Sequence, residues 1–262
     1  MAYGFEARNQ NNNILISDKS YNCVYIGKAG LYAAYNPLGT SRYWYLSTRY
    51  GDVQSWCIRV FRIDSGGRDV IPFIYIPWPN FCTVFYFTKI GNIQEFWIGS
   101  QVNITPEVYC FAKSTSVGKT GWGMSVFDAN EKLTFTSTDN ILRLKAAYNA
   151  YTPNSSLYFD DRYVDDTYTH GSAAGTYVNA PLNAITGPIT KPAINYNSFG
   201  TASIYRANSY SGAYYEAGAR YNPSTTNLET QWLVVADGGG GFTQNTPARD
   251  EIALLIDGAN YG

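Results

Sequence analysis

YGFEARNQNNNILISD, residues 3–18, is answered 119 positions later by WGMSVFDANEKLTFTS, residues 122–137. Aligned without a gap, the two stretches share one apolar pattern. Tyr3, Phe5, Ala7, Ile14 and Ile16 in the first stand where Trp122, Met124, Val126, Leu133 and Phe135 stand in the second. Between the two alternating runs lie polar, Asn- and Asp-containing segments, NQNNN (9–13) and DANE (128–131). Period-two alternation around such a turn describes a β-hairpin with one buried face. Only the Gly4/Gly123 and Asn11/Asn130 positions are identical, so the match is one of pattern. It reads as a duplicated structural opening that places a domain boundary near residue 120.

Composition extends the β reading to the whole chain. The 262 residues are 15% charged and 16% aromatic, with 24 Tyr and 24 Gly. Tyr, Thr, Val and Ile suit pleated, half-buried surfaces, and Gly, Asn and Pro supply turns. In the first half, NCVYIG, SWCIRVFRID, VIPFIYIPW, CTVFYFTKI and IQEFWIGS are short β-branched and aromatic runs. They are separated by the turn signals DSGGRD, PWPN and KIGN. Strands at this spacing predict an antiparallel sandwich or barrel over residues 1–120. Residues 121–262 predict a second, loop-rich β domain, with strands at SLYFDD, TYVNA, ASIYRA, AYYEAGARY, TQWLVVAD and EIALLID. ILRLKAAYNAY (141–151) is the best helix candidate.

The formal net charge is −1, and no basic stripe of the kind that displaces counterions from nucleic acid is present. MAYGFEARNQ has neither the basic start nor the apolar core of a secretory signal, and no window is apolar enough to span a membrane. The expectation is a protein made in the cytosol, with no nucleic-acid partner and no membrane insertion. Cys23, Cys57, Cys82 and Cys110 are too far apart for a zinc site and read as buried free thiols, so no metal and no cofactor is expected.

Three constellations invite chemistry and are better read without it. YFDDRYVDD places Asp160, Asp161, Asp165 and Asp166 near Arg162, where they could chelate calcium or present two carboxylates for glycoside cleavage, as in a glycan-cleaving enzyme. The spacing of a calcium loop is absent, adjacent Asp pairs in a strand point to opposite faces, and a solvated turn is the simpler reading. The single histidine, His170, lies in a turn-rich stretch and reads as an exposed turn residue. ADGGGGFTQN lacks the Lys-Ser/Thr that a phosphate loop requires after its last glycine. No nucleophile, base and oxyanion donor can be assembled, so catalysis is the weakest class. The aromatic clusters carry more. Tyr43, Trp44 and Tyr45, with Tyr205, Tyr210, Tyr214 and Tyr215, set rings beside hydroxyl and amide side chains. Such rings either anchor protein contacts or stack on sugar faces.

Both repeated stretches, the second more clearly, resemble a hairpin of tailed-bacteriophage tail proteins. That pattern opens aromatic-Gly-apolar, continues VF-Asn/Asp and closes apolar-x-Phe-x-Ser/Asp. The resemblance covers 32 of the 262 residues, and the first copy departs from it with an Asn run in place of the turn glycine. It implies a non-enzymatic virion component of the tail tip, baseplate or fibre, assembled in the host cytoplasm. The implied partners are other tail proteins, further copies of itself as a homo-oligomer, and a host surface glycan or receptor.

Overall fold

The computed structural model describes residues 6–8, 14–17, 22–35, 57–100, 102–114, 125–127, 133–136, 140–150, 177–185, 187–195, 201–205, 211–239 and 251–262. These are β throughout, apart from one 3-10 turn over Gly258–Tyr261. The strands are β1 (Glu6–Arg8), β2 (Ile14–Ser17), β3 (Cys23–Lys28), β4 (Gly30–Tyr35), β5 (Cys57–Asp64), β6 (Val70–Tyr75), β7 (Cys82–Ile90), β8 (Ile93–Ser100) and β9 (Glu107–Lys113). They continue as β10 (Ser125–Phe127), β11 (Leu133–Thr136), β12 (Ala146–Ala150), β13 (Tyr177–Asn179), β14 (Pro192–Ile194), β15 (Thr201–Tyr205), β16 (Ser211–Asn222), β17 (Asn227–Gly239) and β18 (Glu251–Asp257).

Two large antiparallel sheets form a sandwich. One has six strands in the order β12-β18-β14-β6-β9-β3. The other runs β13-β17-β16-β7-β8-β5-β4, with β15 paired to β16. Both draw strands from either side of residue 120, the predicted boundary between domains 1–120 and 121–262, and in each sheet the strands before and after it stand in separate blocks that meet at β6–β14 and β7–β16. One core runs across both blocks: Phe61, Ile74, Phe96, Ile98 and Val108 pack with Tyr148, Ile194, Tyr221, Leu228 and Leu255. Each half therefore contributes strands to both sheets, and one core joins the two blocks.

The chain closes this sandwich at both flanks. Between β3 and β4 only Ala29 intervenes; its N–H donates to the Val108 carbonyl at 2.9 Å as the backbone leaves one sheet for the other. At the opposite flank, Leu182 N–H donates to the Ala147 carbonyl at 2.7 Å and Tyr148 bridges to Pro181. Within the eight-strand order, β7 and β8 meet in a two-residue turn between the paired Ile90 and Ile93. Gly91 supplies the positive φ of 62° which that turn needs.

The six-stranded sheet is covered on its outer face as well. Phe73, Tyr109, Phe111, Ala193 and Ile256 pack there around Tyr261 of the 3-10 turn. Tyr261 meets Phe111 edge-on at 4.8 Å, accepts from Arg143 N–H at 2.7 Å and donates to the Ile141 carbonyl at 3.0 Å. Here the helix expected over 141–151 gives way: Ile141 bridges to Val24, and Ala146–Ala150 forms β12. Ala146 and Tyr148 alternate into the core opposite Leu255 and Ala253, and that burial overrides the helix preference of Ala, Leu and Lys.

The repeated stretches form matched hairpins. Glu6, Ala7 and Arg8 pair with Ser17, Ile16 and Ile14; Ser125, Val126 and Phe127 pair with Thr136, Phe135 and Leu133. Every pair in one hairpin maps to the other at the same offset, and both ladders slip at the same step, Ala7/Arg8 and Val126/Phe127. A bulge at an equivalent place is a specific backbone feature that local alternation does not dictate. The two hairpins touch along β2 and β11.

Candidate functional site

The outer face of the eight-stranded sheet carries two arginine–glutamate pairs of one design. Inward residues of β8 (Phe96, Ile98) and β17 (Leu228) fill the core, so the alternate positions Glu95 and Glu229 face outward. Arg62 on β5 lies opposite Glu95, and Arg220 on β16 lies opposite Glu229. Each arginine grips one carboxylate oxygen with its Nε and Nη2: 2.6 and 2.6 Å for Arg62, 2.7 and 2.7 Å for Arg220. The other oxygen accepts a side-chain N–H, from Trp97 Nε1 at 2.6 Å or from Asn222 Nδ2 at 2.6 Å.

Aromatic rings cap both guanidinium groups. Tyr32, 61% exposed at a bulge of edge strand β4, has its ring centroid 3.4 Å from the Arg62 guanidinium. Trp78, 42% exposed, lies 4.3 Å from that of Arg220, with Phe81 at 4.0 Å on the same group. Arg220 Nη1 also donates to the Pro79 carbonyl, next to the cis Trp78–Pro79 bond. The stacked, doubly bonded guanidinium fixes each exposed ring at low further entropy cost. Rigid Trp, Tyr and Arg on a sheet face are the composition of contact anchors.

A third polar centre lies on the six-stranded sheet. Glu107, at the start of β9, accepts from Lys191 at 2.6 Å, Lys28 at 2.9 Å and the Tyr109 hydroxyl at 2.8 Å. Burial alone would raise its carboxyl, but these three bonds outweigh it and hold it at about 2. Nearby, Asp257 accepts from the backbone N–H groups of Thr190, Lys191 and Ala259, which hold its pKa below the usual value despite burial. These contacts tie β3, β9, the 190–191 segment and the 3-10 turn together.

Of the aromatic residues singled out in the sequence, Tyr43, Trp44, Tyr45 and Tyr210 lie outside the described residues. So do Asp160, Asp161, Asp165, Asp166 and His170. The structure brings Tyr205 of β15 and Tyr214 and Tyr215 of β16 onto one ribbon, with Ser203 opposite Tyr214 and Ala202 opposite Tyr215. A bulge separates Tyr214 from Tyr215 in the pairing with β17. Sequence reasoning missed Tyr32, Trp78 and the two Arg–Glu pairs. Cys57, Cys82 and Cys110 are buried free thiols and Cys23 is a partly buried one, as expected. Among the described residues no helix is long and apolar enough to cross a membrane. Comparison with protein-family models, curated proteins and solved structures finds no match for the chain.

Proposed function

We propose that this chain is a structural protein of a tailed-bacteriophage tail, at the tip, baseplate or fibre, that works by assembly and host attachment rather than by catalysis. The observation that carries the reading is the hairpin pair. The two stretches that repeat one apolar pattern and resemble a tail-protein hairpin share one register and one bulge position, and lie against each other. The capped Arg–Glu pairs support an adhesive role, since Tyr32 and Trp78 present rigid exposed rings for copies of the chain or neighbouring tail proteins to cover. An antibody raised against the purified chain should decorate the tails of intact particles. Its absence from purified particles that contain the other tail proteins overturns the assignment.

A second reading, a carbohydrate-binding module, is favoured by Trp78 itself. Its exposed ring, next to Asn80 and held by Arg220, has the form of a sugar-stacking platform. Glycan-array binding that disappears in Trp78→Ala supports this reading, and a blank array at high protein concentration removes it.

A further inference from the structure

We propose that the Arg59 guanidinium forms the floor of a binding site for a small carboxylate. Arg59 lies on β5 opposite Ile98 of β8 and Ala34 of β4. It points to the inner side of its sheet and is 3% exposed. Its Nη1 donates to the carbonyls of Tyr35 at 3.3 Å and Ile58 at 3.1 Å, and its Nη2 donates to Asn103 Oδ1 at 2.5 Å. Every one of these acceptors is neutral. The Nε–H is buried and has no partner. Among the described residues no carboxylate pairs with Arg59.

A guanidinium keeps its charge at any ordinary pH, so it cannot escape burial by losing a proton, and a buried cation without a counter-charge is costly. The chain itself shows what this side chain ordinarily holds. Arg62 and Arg220 both use the fork of Nε and Nη2 to grip a glutamate oxygen. In Arg59 the same fork has an amide oxygen on one tine and nothing on the other. Asn103, whose amide oxygen accepts from Nη2, is an exposed residue between β8 and β9. It is the group an incoming ligand would displace to reach the fork from solvent. The site suits a planar, singly charged anion that spans two N–H donors. Acetate or propionate fits this description better than tetrahedral phosphate.

The test follows thermal unfolding of the full chain in sodium acetate against sodium chloride at matched ionic strength, with sodium phosphate as a third arm. Acetate should raise the midpoint in a saturable way, because a ligand that binds only the folded state stabilises it by mass action. The rise should vanish in Arg59→Met. Asn103→Asp places a carboxylate beside the fork from within, so it should unfold at a higher temperature than the parent in chloride and lose its response to acetate. Acetate should also shift the Arg59 Nε resonance in a nitrogen-detected NMR titration. Equal midpoints in acetate and chloride overturn the site, and phosphate acting as well as acetate overturns the carboxylate assignment. If Arg59→Met does not fold, Asn103→Asp decides: a variant no more stable than the parent overturns the proposal.

Discussion

Gly258 leaves the space that the Tyr109 ring fills: a Cβ on Gly258 would stand 2.5 Å from the ring's Cζ and 2.8 Å from its hydroxyl oxygen. Tyr109 cannot retreat, because it is fully buried and its hydroxyl is bonded to Glu107. Gly258→Ala should therefore cost about 1–3 kcal/mol, the usual range for overpacking. Urea denaturation measures the loss. Trimming the ring in Gly258→Ala/Tyr109→Leu should recover part of it relative to the sum of the two single variants.

The Glu107 centre predicts an acid-sensitive contribution to stability. Its carboxyl titrates near 2 in the folded chain, below the ordinary 4.5, so the ionised form is favoured by folding. That contribution is complete above about pH 4.5 and is lost as pH falls towards 2. Because both lysines are 37% exposed, solvent screening leaves about 1–2 kcal/mol of it. Glu107→Gln should be less stable than the parent at pH 7 by that amount. The gap between the two denaturation midpoints should close on acidification through this window.

The shared core predicts that damage in the second half loosens the first. Leu255 on β18 is fully buried in the common core. Leu255→Ala should cost about 2–5 kcal/mol. Amide exchange in β6 and β9 should quicken by the same free energy as in β18, as for one cooperative unit. Slow exchange persisting in the first-half strands would show that they fold independently.

Equivalent hairpins should be exchangeable. A chain in which residues 3–18 are replaced by the sequence of residues 122–137 preserves the paired positions and the bulge, and is expected to fold with an unchanged circular dichroism spectrum. Loss of the folded state in this chimera, with the reverse exchange also failing, would show that the two hairpins are not interchangeable modules.

Thiol chemistry should single out one position. Cys57, Cys82 and Cys110 are buried, and burial pushes the Cys110 thiol up to about 12. A thiolate-directed reagent should leave these three unmodified in the native state and react, slowly, with Cys23 alone, whose own pKa is raised by burial. Mass spectrometry of the labelled chain reads the result directly.

Much of the β structure is legible in the sequence, and its gaps have physical causes. IQEFWIGS coincides with β8, and the KIGN turn falls where Gly91 makes it. The strand over 107–113 escaped because both of its faces are buried. Val108 and Cys110 meet the other sheet while Tyr109 and Phe111 meet the 3-10 turn, so no polar alternation marks it. The order of strands is not local information: nothing within EIALLID says that it pairs with both β12 and β14. The same distinction divides the candidate site. Arg220 and Glu229 follow from counting outward from the Asn222–Asn227 pair that closes a four-residue turn. Arg62 and Glu95 come together only through the non-local register of β5 with β8.

The position of β18 sets the timetable of folding. It lies in the interior of the six-stranded sheet, between β12 and β14, and β14 in turn bridges it to β6. A nascent polypeptide emerging from the ribosome therefore cannot complete that sheet until residues 251–257 have been synthesised. Until then β14 and β12 present unsatisfied edges. Such a chain should depend on holding chaperones during translation and should settle in one late, concerted step.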